Sequence, residues 1–387
     1  MALIRYLEGG ESHGKGSVAI IEGLPAGIPL DLEFINAQLA RRQGGHGRGG
    51  RMKIEKDKVE ILTGVRDGKT LGSPVTLMVH NKDWANWEKI MSAEPGAATD
   101  KRKVTLPRPG HADLTGGIKY HQQDLRNVLE RSSARETTIR VAVGALAQDV
   151  LRQFGVKLWG HVVSIGSVEA LPNYENLNDG LYETPVYCTD KEAEQDMVQL
   201  IDRAKSQGDT LGGVVEVVVQ GLPLGIGSYV HYDRKLDGRL AQAVMSIQAF
   251  KGVEIGLGFQ AAVLPGSQVH DEIFYEAGRG FYHKTNRCGG LEGSMTNGEP
   301  VVIRGAMKPI PTLYKPLHSV DFLTHEEGLA SVERSDACAV PAAAIVMQNA
   351  VAWTILESFL EKFGGDSLLE VRRNYDSYVD YVKAAMQ

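Results

Sequence analysis

Two histidines sit in settings suited to chemistry. His13 lies in Gly10-Glu11-Ser12-His13-Gly14-Lys15, and His111 in Arg108-Pro109-Gly110-His111-Ala112-Asp113. Flanking glycines offer no side chains to pack a core imidazole, and the nearby cations suit an anionic ligand. Imidazole is also the side chain best placed for proton transfer near neutral pH. Residues 41–51 (RRQGGHGRGGR) add Arg41, Arg42, Arg48 and Arg51 with five glycines and neither acid nor lysine. A guanidinium fork grips phosphate or carboxylate in two places, and glycine lets the backbone come close to a ligand. The plainer reading of that run is a flexible, solvated loop. Arg131-Ser132-Ser133, at the start of an expected helix, offers amides, two hydroxyls and a guanidinium to an anion; an ordinary helix cap would use the same amides.

The distribution of charge agrees with a compact anionic ligand. The 387 residues carry 42 Lys+Arg against 48 Asp+Glu, a net charge of −6. Residues 1–140 hold 22 basic and 17 acidic side chains, so a basic portion sits on an acidic chain. Long nucleic acid would favour a basic total. An apolar content of 43% with modest net charge describes a globular core and excludes disorder. Cys188, Cys288 and Cys338 are far apart and odd in number, and no His-Glu-x-x-His or Cys-x-x-Cys occurs. Neither a disulfide framework nor a dedicated metal site is expected. The chain opens without a basic segment leading into an apolar run, and the longest apolar stretch, residues 342–360, is broken by Gln348, Asn349 and Glu357. A cytoplasmic protein with no membrane span is the expectation.

The elements that must carry these residues show an internal echo at an offset of 198. Gly10–Gly14 aligns with Gly208–Gly212, and Glu22-Gly-Leu-Pro-Ala-Gly-Ile28 with Gln220-Gly-Leu-Pro-Leu-Gly-Ile226. Apolar runs at 18–21 and 214–219 lie between the paired motifs and read as strands. Leu211 stands where His13 stands in the first copy, so the fold does not demand that histidine. Further strands are predicted at 59–62, 75–80, 158–165 and 301–303. Helices are predicted at 137–154 behind a Ser133-x-x-Glu136 capping box, at 237–250, and from Pro341 to about Gly364. The last is apolar nearly all round and so buried. Residues 82–117 read as a long functional loop. With no linker between the halves, which begin near residues 10 and 208, the whole of 1–387 is expected to be one α/β domain.

Two other motifs invite nucleotide readings. Thr63-Gly-Val-Arg-Asp-Gly-Lys-Thr70 misses the phosphate-binding P-loop by one residue, Thr63 in place of glycine. Gly256-Leu-Gly258-Phe-Gln-Ala261 lacks the strand-to-helix setting of a dinucleotide fingerprint and reads as a tight turn.

Taken together, Gly10–Gly14, Arg41-Arg42-Gln43 with Arg48 and Arg51, Arg108–Asp113, Arg131–Thr137 and Arg334-Ser335-Asp336 resemble, in order, the signature blocks of the chorismate synthase family. One departure is His46, at a position often tyrosine in that pattern. The resemblance implies a β-α-β sandwich with an internal duplication, assembled as a homotetramer. It implies 1,4-anti elimination of phosphate and a ring proton from 5-enolpyruvylshikimate-3-phosphate, with reduced FMN required and no net redox change. On the same ground His13 would lie at the departing phosphate, His111 at the reduced flavin, and Asp336, placed by Arg334, would assist removal of the ring proton. FMN would be held by Arg131, Ser132, Ser133, Gln248, Ala249, Gly293, Lys308, Pro309, Ile310, Pro311, Thr312 and Arg334. Arg42 and Arg48 would hold NADP or substrate, with NADPH a candidate external source of reducing power. Ser12, Arg51 and Arg135 are the candidates for the substrate's phosphate and carboxylates. The rival readings are a P-loop-like phosphotransferase built on Gly64–Thr70 and an arginine-glycine RNA-binding protein. The second lacks aromatic residues near Arg41–Arg51.

Overall fold

The computed structural model describes residues 4–49, 56–333 and 335–387, so Arg51 and Arg334 lie outside the described residues. Four strands of the first half, β1 (Arg5–Gly9), β2 (Gly16–Glu22), β3 (Val59–Thr63) and β4 (Val75–His80), form an antiparallel sheet ordered β1-β2-β4-β3. In the second half, β5 (Lys157–Ile165), β6 (Gly213–Gln220), β7 (Phe250–Ile255) and β8 (Val301–Met307) are ordered β5-β6-β8-β7. The two orders are the same, and β2 and β6 are the strands matched at the offset of 198. A short strand, Val168–Glu169, extends the second sheet beyond β5.

Strand sequences follow from what covers each face. In β4, Val75, Leu77 and Val79 are buried while Thr76, Met78 and His80 turn outward, the period of two of a sheet with one covered face. In β6 nearly every residue is buried, because Leu177 and Leu181 of the 174–183 segment cover Val218 on the outer face.

Helices α1 (Leu32–Gln43), α2 (Thr137–Arg152), α3 (Leu236–Met245) and α4 (Val340–Phe363) supply the inner layer. α2 packs on β2 and β4, α4 on β5 and β6, and α2 and α4 on each other, giving a β-α-β sandwich with one continuous apolar core. The α2–α4 crossing is close. A Cβ on Gly144 would lie 2.2 Å from the carbonyl oxygen of Asn349. Gln148 Nε2 donates to Asn349 Oδ1 (2.8 Å) and Gln348 Nε2 to Gln148 Oε1 (2.9 Å). The polar residues that interrupt the apolar run of α4 therefore answer polar partners in the core, as buried amides must. α4 is long and apolar enough to cross a membrane, but 94% of that window is buried within the protein.

The duplication extends to individual hydrogen bonds. Thr70 Oγ donates to Pro25 O and accepts from Ile28 N (2.6 and 2.9 Å); Thr296 Oγ does the same with Pro223 O and Ile226 N (2.6 and 2.8 Å). In both copies a threonine on a short hairpin clasps the Gly-Leu-Pro-x-Gly-Ile turn.

Local expectations are corrected in three places. Ser133 caps only a single 3-10 turn, accepting from Arg135 N, and Glu136 accepts from Gln248 instead of turning back. A full capping box sits at Ser367 and Glu370, opening the C-terminal helix Leu368–Met386. The helix predicted over 237–250 ends at Met245, because Phe250 begins β7. Gly64–Thr70 is a hairpin, Val65–Arg66 on Lys69–Thr70, turned by Asp67 (φ 49°) and Gly68 (φ 69°). An Asp-Gly pair with positive φ is the chemistry of a two-residue hairpin, and with no helix after it there is no ring of amides for a phosphate.

Candidate functional site

A cavity of about 1020 Å³ opens where the two halves meet. Its wall draws on the β1–β2 loop, the 82–117 loop, the junction before α2, residues 247–251, residues 307–312 and the first turns of α4. Among the described residues, seven basic side chains line it (Arg42, Arg48, Arg102, Arg108, Arg135, Lys251, Lys308) against the acids Asp83, Glu333 and Asp336. Ala339, Ala342, Ala343 and Val346 of α4 with Ile247 give it an apolar floor. The result is a basic pocket on an acidic chain.

His13 is held from behind. The Glu130 carboxylate accepts from His13 N (2.7 Å) and pairs with its Nδ1 (2.8 Å), while Glu130 O accepts from Ser12 N (2.8 Å). Glu130 is on the short helix Arg126–Ser132 and is 2% exposed. Burial pushes its carboxyl up, but hydrogen bonds from His13 and Arg126 outweigh this and hold it below the usual range. Trp87 stacks on the imidazole with centroids 3.8 Å apart, so His13 is packed on one face, unlike the open setting its glycines predict. Arg102 and Arg126 lie 5.2 and 5.4 Å from the same indole.

His111 has a similar frame. Its Nδ1 is 2.6 Å from Asp113 Oδ1, and Arg108 bridges Asp113 (Nε–Oδ2 2.8 Å), Thr312 (Nη1–Oγ 2.9 Å) and the imidazole. Asp113 is fully buried, which raises its carboxyl, yet His111 and Arg108 hold it well below the usual carboxylate range. Lys308 Nζ donates to Gly110 O, and burial, helped by the charge of Lys251, lowers its ammonium.

Asp336 is held by the other half of the chain: Oδ2 is 3.0 Å from Arg48 Nη1, and Oδ1 accepts from Gly49 N (2.6 Å). The arginine expected to place it, Arg334, is outside the described residues; Arg48, which was expected to hold NADP or substrate, grips the carboxylate. Arg42 reaches Thr137 Oγ and Ala134 O, and Arg135 forks onto Asp57 (2.5 and 2.8 Å). Arg41 lies over Tyr182 at 4.1 Å and pairs with Asp179. The described arginines of the 41–51 run thus reach inward to the protein and do not form a solvated strip for RNA.

Of the sequence-predicted residues, the cavity gathers Ser12, His13, Arg42, Arg48, His111, Ser132, Ser133, Arg135, Gln248, Ala249, Lys308, Ile310, Pro311, Thr312 and Asp336. Pro309 lies between lining residues without lining the wall itself. Arg131 turns away, to Gly10 O and Glu8. It is also not at a helix start: Ser132 ends one helix and Ser133 links it to the turn before α2. Gly293 is in the hairpin turn beside Met295 and Tyr229, outside the cavity lining. Glu130, Asp113, Arg108, Arg102, Trp87 and Lys251 were not singled out from sequence. Spacing offered a signal for two of them, Arg108 and Asp113, which share one six-residue block with His111. No group of His, Cys, Asp and Glu among the described residues could hold a metal ion.

Residues 4–360 match the sequence model of the family described as chorismate synthase. The chain is 60% identical to a chorismate synthase of Brevibacillus brevis over 98% of its own length and all of the relative's. It is 59% identical to one of Geobacter metallireducens, over 99% of this chain. A solved structure titled as chorismate synthase matches with a TM-score of 0.79 at 43% identity, covering 98% of each chain.

Proposed function

We propose how the cavity works from one premise: the chain belongs to the chorismate synthase family. It is a lyase that converts 5-enolpyruvylshikimate-3-phosphate to chorismate, toward aromatic amino acids, in a flavin-dependent family. The observation that carries the assignment of chemistry to this cavity is the meeting of His13, His111 and Asp336 on one basic wall. The substrate brings a phosphate and two carboxylates, and seven lining cations answer that load.

The cavity fits a flavin by its donor set. Gln248 Nε2 is committed to Glu136, while its buried Oε1 has no partner among the described residues and suits a ring N–H of a ligand. Lys251 and Lys308 suit a phosphate, and the α4 alanines suit a flat apolar ring. We therefore assign FMN, in its reduced form, to Ser132, Ser133, Gln248, Ala249, Lys308 and Ile310–Thr312, with Arg131, Gly293, Pro309 and Arg334 as further candidates from the resemblance. When bound, reduced flavin supplies the electron-rich ring that assists loss of phosphate and ring proton without net redox change.

His13, as imidazolium, hydrogen-bonds the departing phosphate, with Glu130 holding its Nδ1–H. His111 is oriented by Asp113 toward the flavin ring. Asp336, gripped by Arg48 and Gly49 N, serves proton removal. Ser12 and Arg135, with Arg51, receive substrate anions. Arg42 and Arg48 serve the site's framework and the substrate before any NADP, since their forks already reach Thr137, Ala134 and Asp336. NADPH is assigned the role of an outside reductant. Residues 1–387 form one domain with halves beginning near residues 10 and 208. A homotetramer is supported by paired, exposed Leu7 (78%) and Ile20 (48%) on the outer face of the first sheet. A cytoplasmic location is supported by three free thiols.

The test is anaerobic incubation with substrate and dithionite-reduced FMN, following chorismate. Turnover that needs reduced flavin without consuming it is the expected result. Full turnover with no flavin, or with oxidised flavin alone, would overturn the reading.

A further inference from the structure

Glu130 is not among the residues lining the cavity, yet it makes three hydrogen bonds to the Gly10–Gly14 loop. Its two carboxylate oxygens take the backbone N–H and the Nδ1 of the same residue, His13, and its own carbonyl takes Ser12 N. The residue is almost completely buried, and a buried carboxylate is costly unless paired. Arg126, four residues earlier, provides the pairing at 3.2 Å and is itself anchored on Arg102 O (2.6 Å) and Glu333 (2.7 Å).

We propose that Glu130 is a positioning residue for the elimination: it fixes the rotation of the His13 ring and holds the Nδ1–H of the imidazolium, leaving Nε2–H for the departing phosphate. This rests on the reading of His13 given above. The Trp87 stack fixes the plane of the ring but still allows a half-turn about Cβ–Cγ that exchanges Nδ1 with Cδ2; the Glu130–Nδ1 bond removes that freedom and assigns the outward-facing chemistry to Nε2. Only an ionised carboxylate serves both donors at once. A glutamine has one acceptor oxygen, so either His13 N or Nδ1–H loses its partner, and an amide N–H facing Nδ1 would oppose the imidazolium, in which both ring nitrogens are donors.

The test is steady-state kinetics with reduced FMN for Glu130→Gln, Glu130→Asp, His13→Ala and the His13→Ala/Glu130→Gln double variant. Glu130→Gln should lower kcat by about 10–100-fold, the usual effect of losing a residue that orients a functional histidine, with KM for substrate within about threefold. Glu130→Asp, charged but one methylene short, should recover part of that loss. In the His13→Ala background, Glu130→Gln should change kcat by less than about threefold, because its effect passes through the ring. If Glu130→Gln does not fold, Glu130→Asp carries the test: an intermediate kcat with parental KM supports the assignment and a parental kcat overturns it. Parental kcat in Glu130→Gln beside an impaired His13→Ala would overturn the assignment of Glu130 alone, as would an equal loss in the His13→Ala background. A fully active His13→Ala enzyme would instead remove the His13 reading, and Glu130 with it.

Discussion

Each histidine in the cavity is backed by a buried carboxylate, and each carboxylate by an arginine: His13–Glu130–Arg126 and His111–Asp113–Arg108. An anion held ionised behind Nδ1 leaves the far ring nitrogen as the position for chemistry. Because Leu211 occupies the matched place in the second copy, packed partly into the core, His13→Ala should cost catalysis far more than stability. We expect turnover to fall by about 10²–10⁴-fold while the melting temperature moves little; an unfolded variant would point to a structural role instead. Both histidines were legible because each lies in a glycine-bounded polar block with cations nearby, and His111 has Arg108 and Asp113 in the same six residues. Glu130 was not, since 117 residues separate it from His13 and only the i,i+4 spacing to Arg126 marks it. A second carboxylate, Glu8, behaves differently. Burial, then the neighbouring Glu136, push it up to about 8 from an ordinary 4.5. Between those values the folded chain keeps a proton that the unfolded chain has released, so stability falls as pH rises through that window. Glu8→Gln, which keeps the size and the donor, should flatten that decline. Thermal melts from about pH 5 to about pH 9 check this, and parallel curves for the two proteins would refute it.

Among the elements, strands with one covered face and the long buried helix were readable, since period two and all-round apolarity translate directly into burial. β4 falls at its predicted limits and α4 within a residue of them. β1 and α1 were missed for a physical reason. Arg5–Gly9 has Leu7 facing outward, and α1 buries Gln38 and Arg42 beside Ile35 and Leu39, so neither presents a clean apolar period. Ser133-x-x-Glu136 misled because tertiary partners won: Gln248 takes the Glu136 carboxylate. The matched clasps of Thr70 and Thr296 allow a test of the duplication at this scale. Each hydroxyl answers a buried carbonyl and a buried amide, so Thr70→Val and Thr296→Val should each cost about 1–3 kcal/mol. The two costs should agree within about 1 kcal/mol by urea unfolding, since the geometry is the same in both halves. A cost at one site only would mean that the clasp has kept its role in just one copy.

At the scale of the molecule, neither half owns the site. The first half brings His13, Arg48 and Gly49, and the second brings Asp336, Lys308 and the floor of α4. The seam is tied where Gly49 N and Arg48 meet the Asp336 carboxylate and where Ala337 N donates to Gly47 O. That contact joins residues 287 positions apart, so no local pattern could announce it, and the signature blocks named Arg48 and Asp336 without pairing them. It also gives Asp336 two candidate jobs, proton removal and closure of the seam, and alanine would damage both. Asp336→Asn separates them. The amide keeps the size, and its one oxygen can still accept from either Gly49 N or Arg48, yet it is a far poorer base. If Asp336 serves proton removal, the variant should bind substrate and reduced FMN nearly normally while the single-turnover rate falls by about 10²-fold or more. Deuterium at the abstracted ring position should then slow the variant more than the parent, because proton removal becomes a larger part of the barrier. If the carboxylate only closes the seam, losing its charge should weaken ligand binding or lower the melting temperature and leave saturated single-turnover chemistry intact. A parental single-turnover rate for Asp336→Asn would take this residue out of the reaction and leave it as the tie between the two halves.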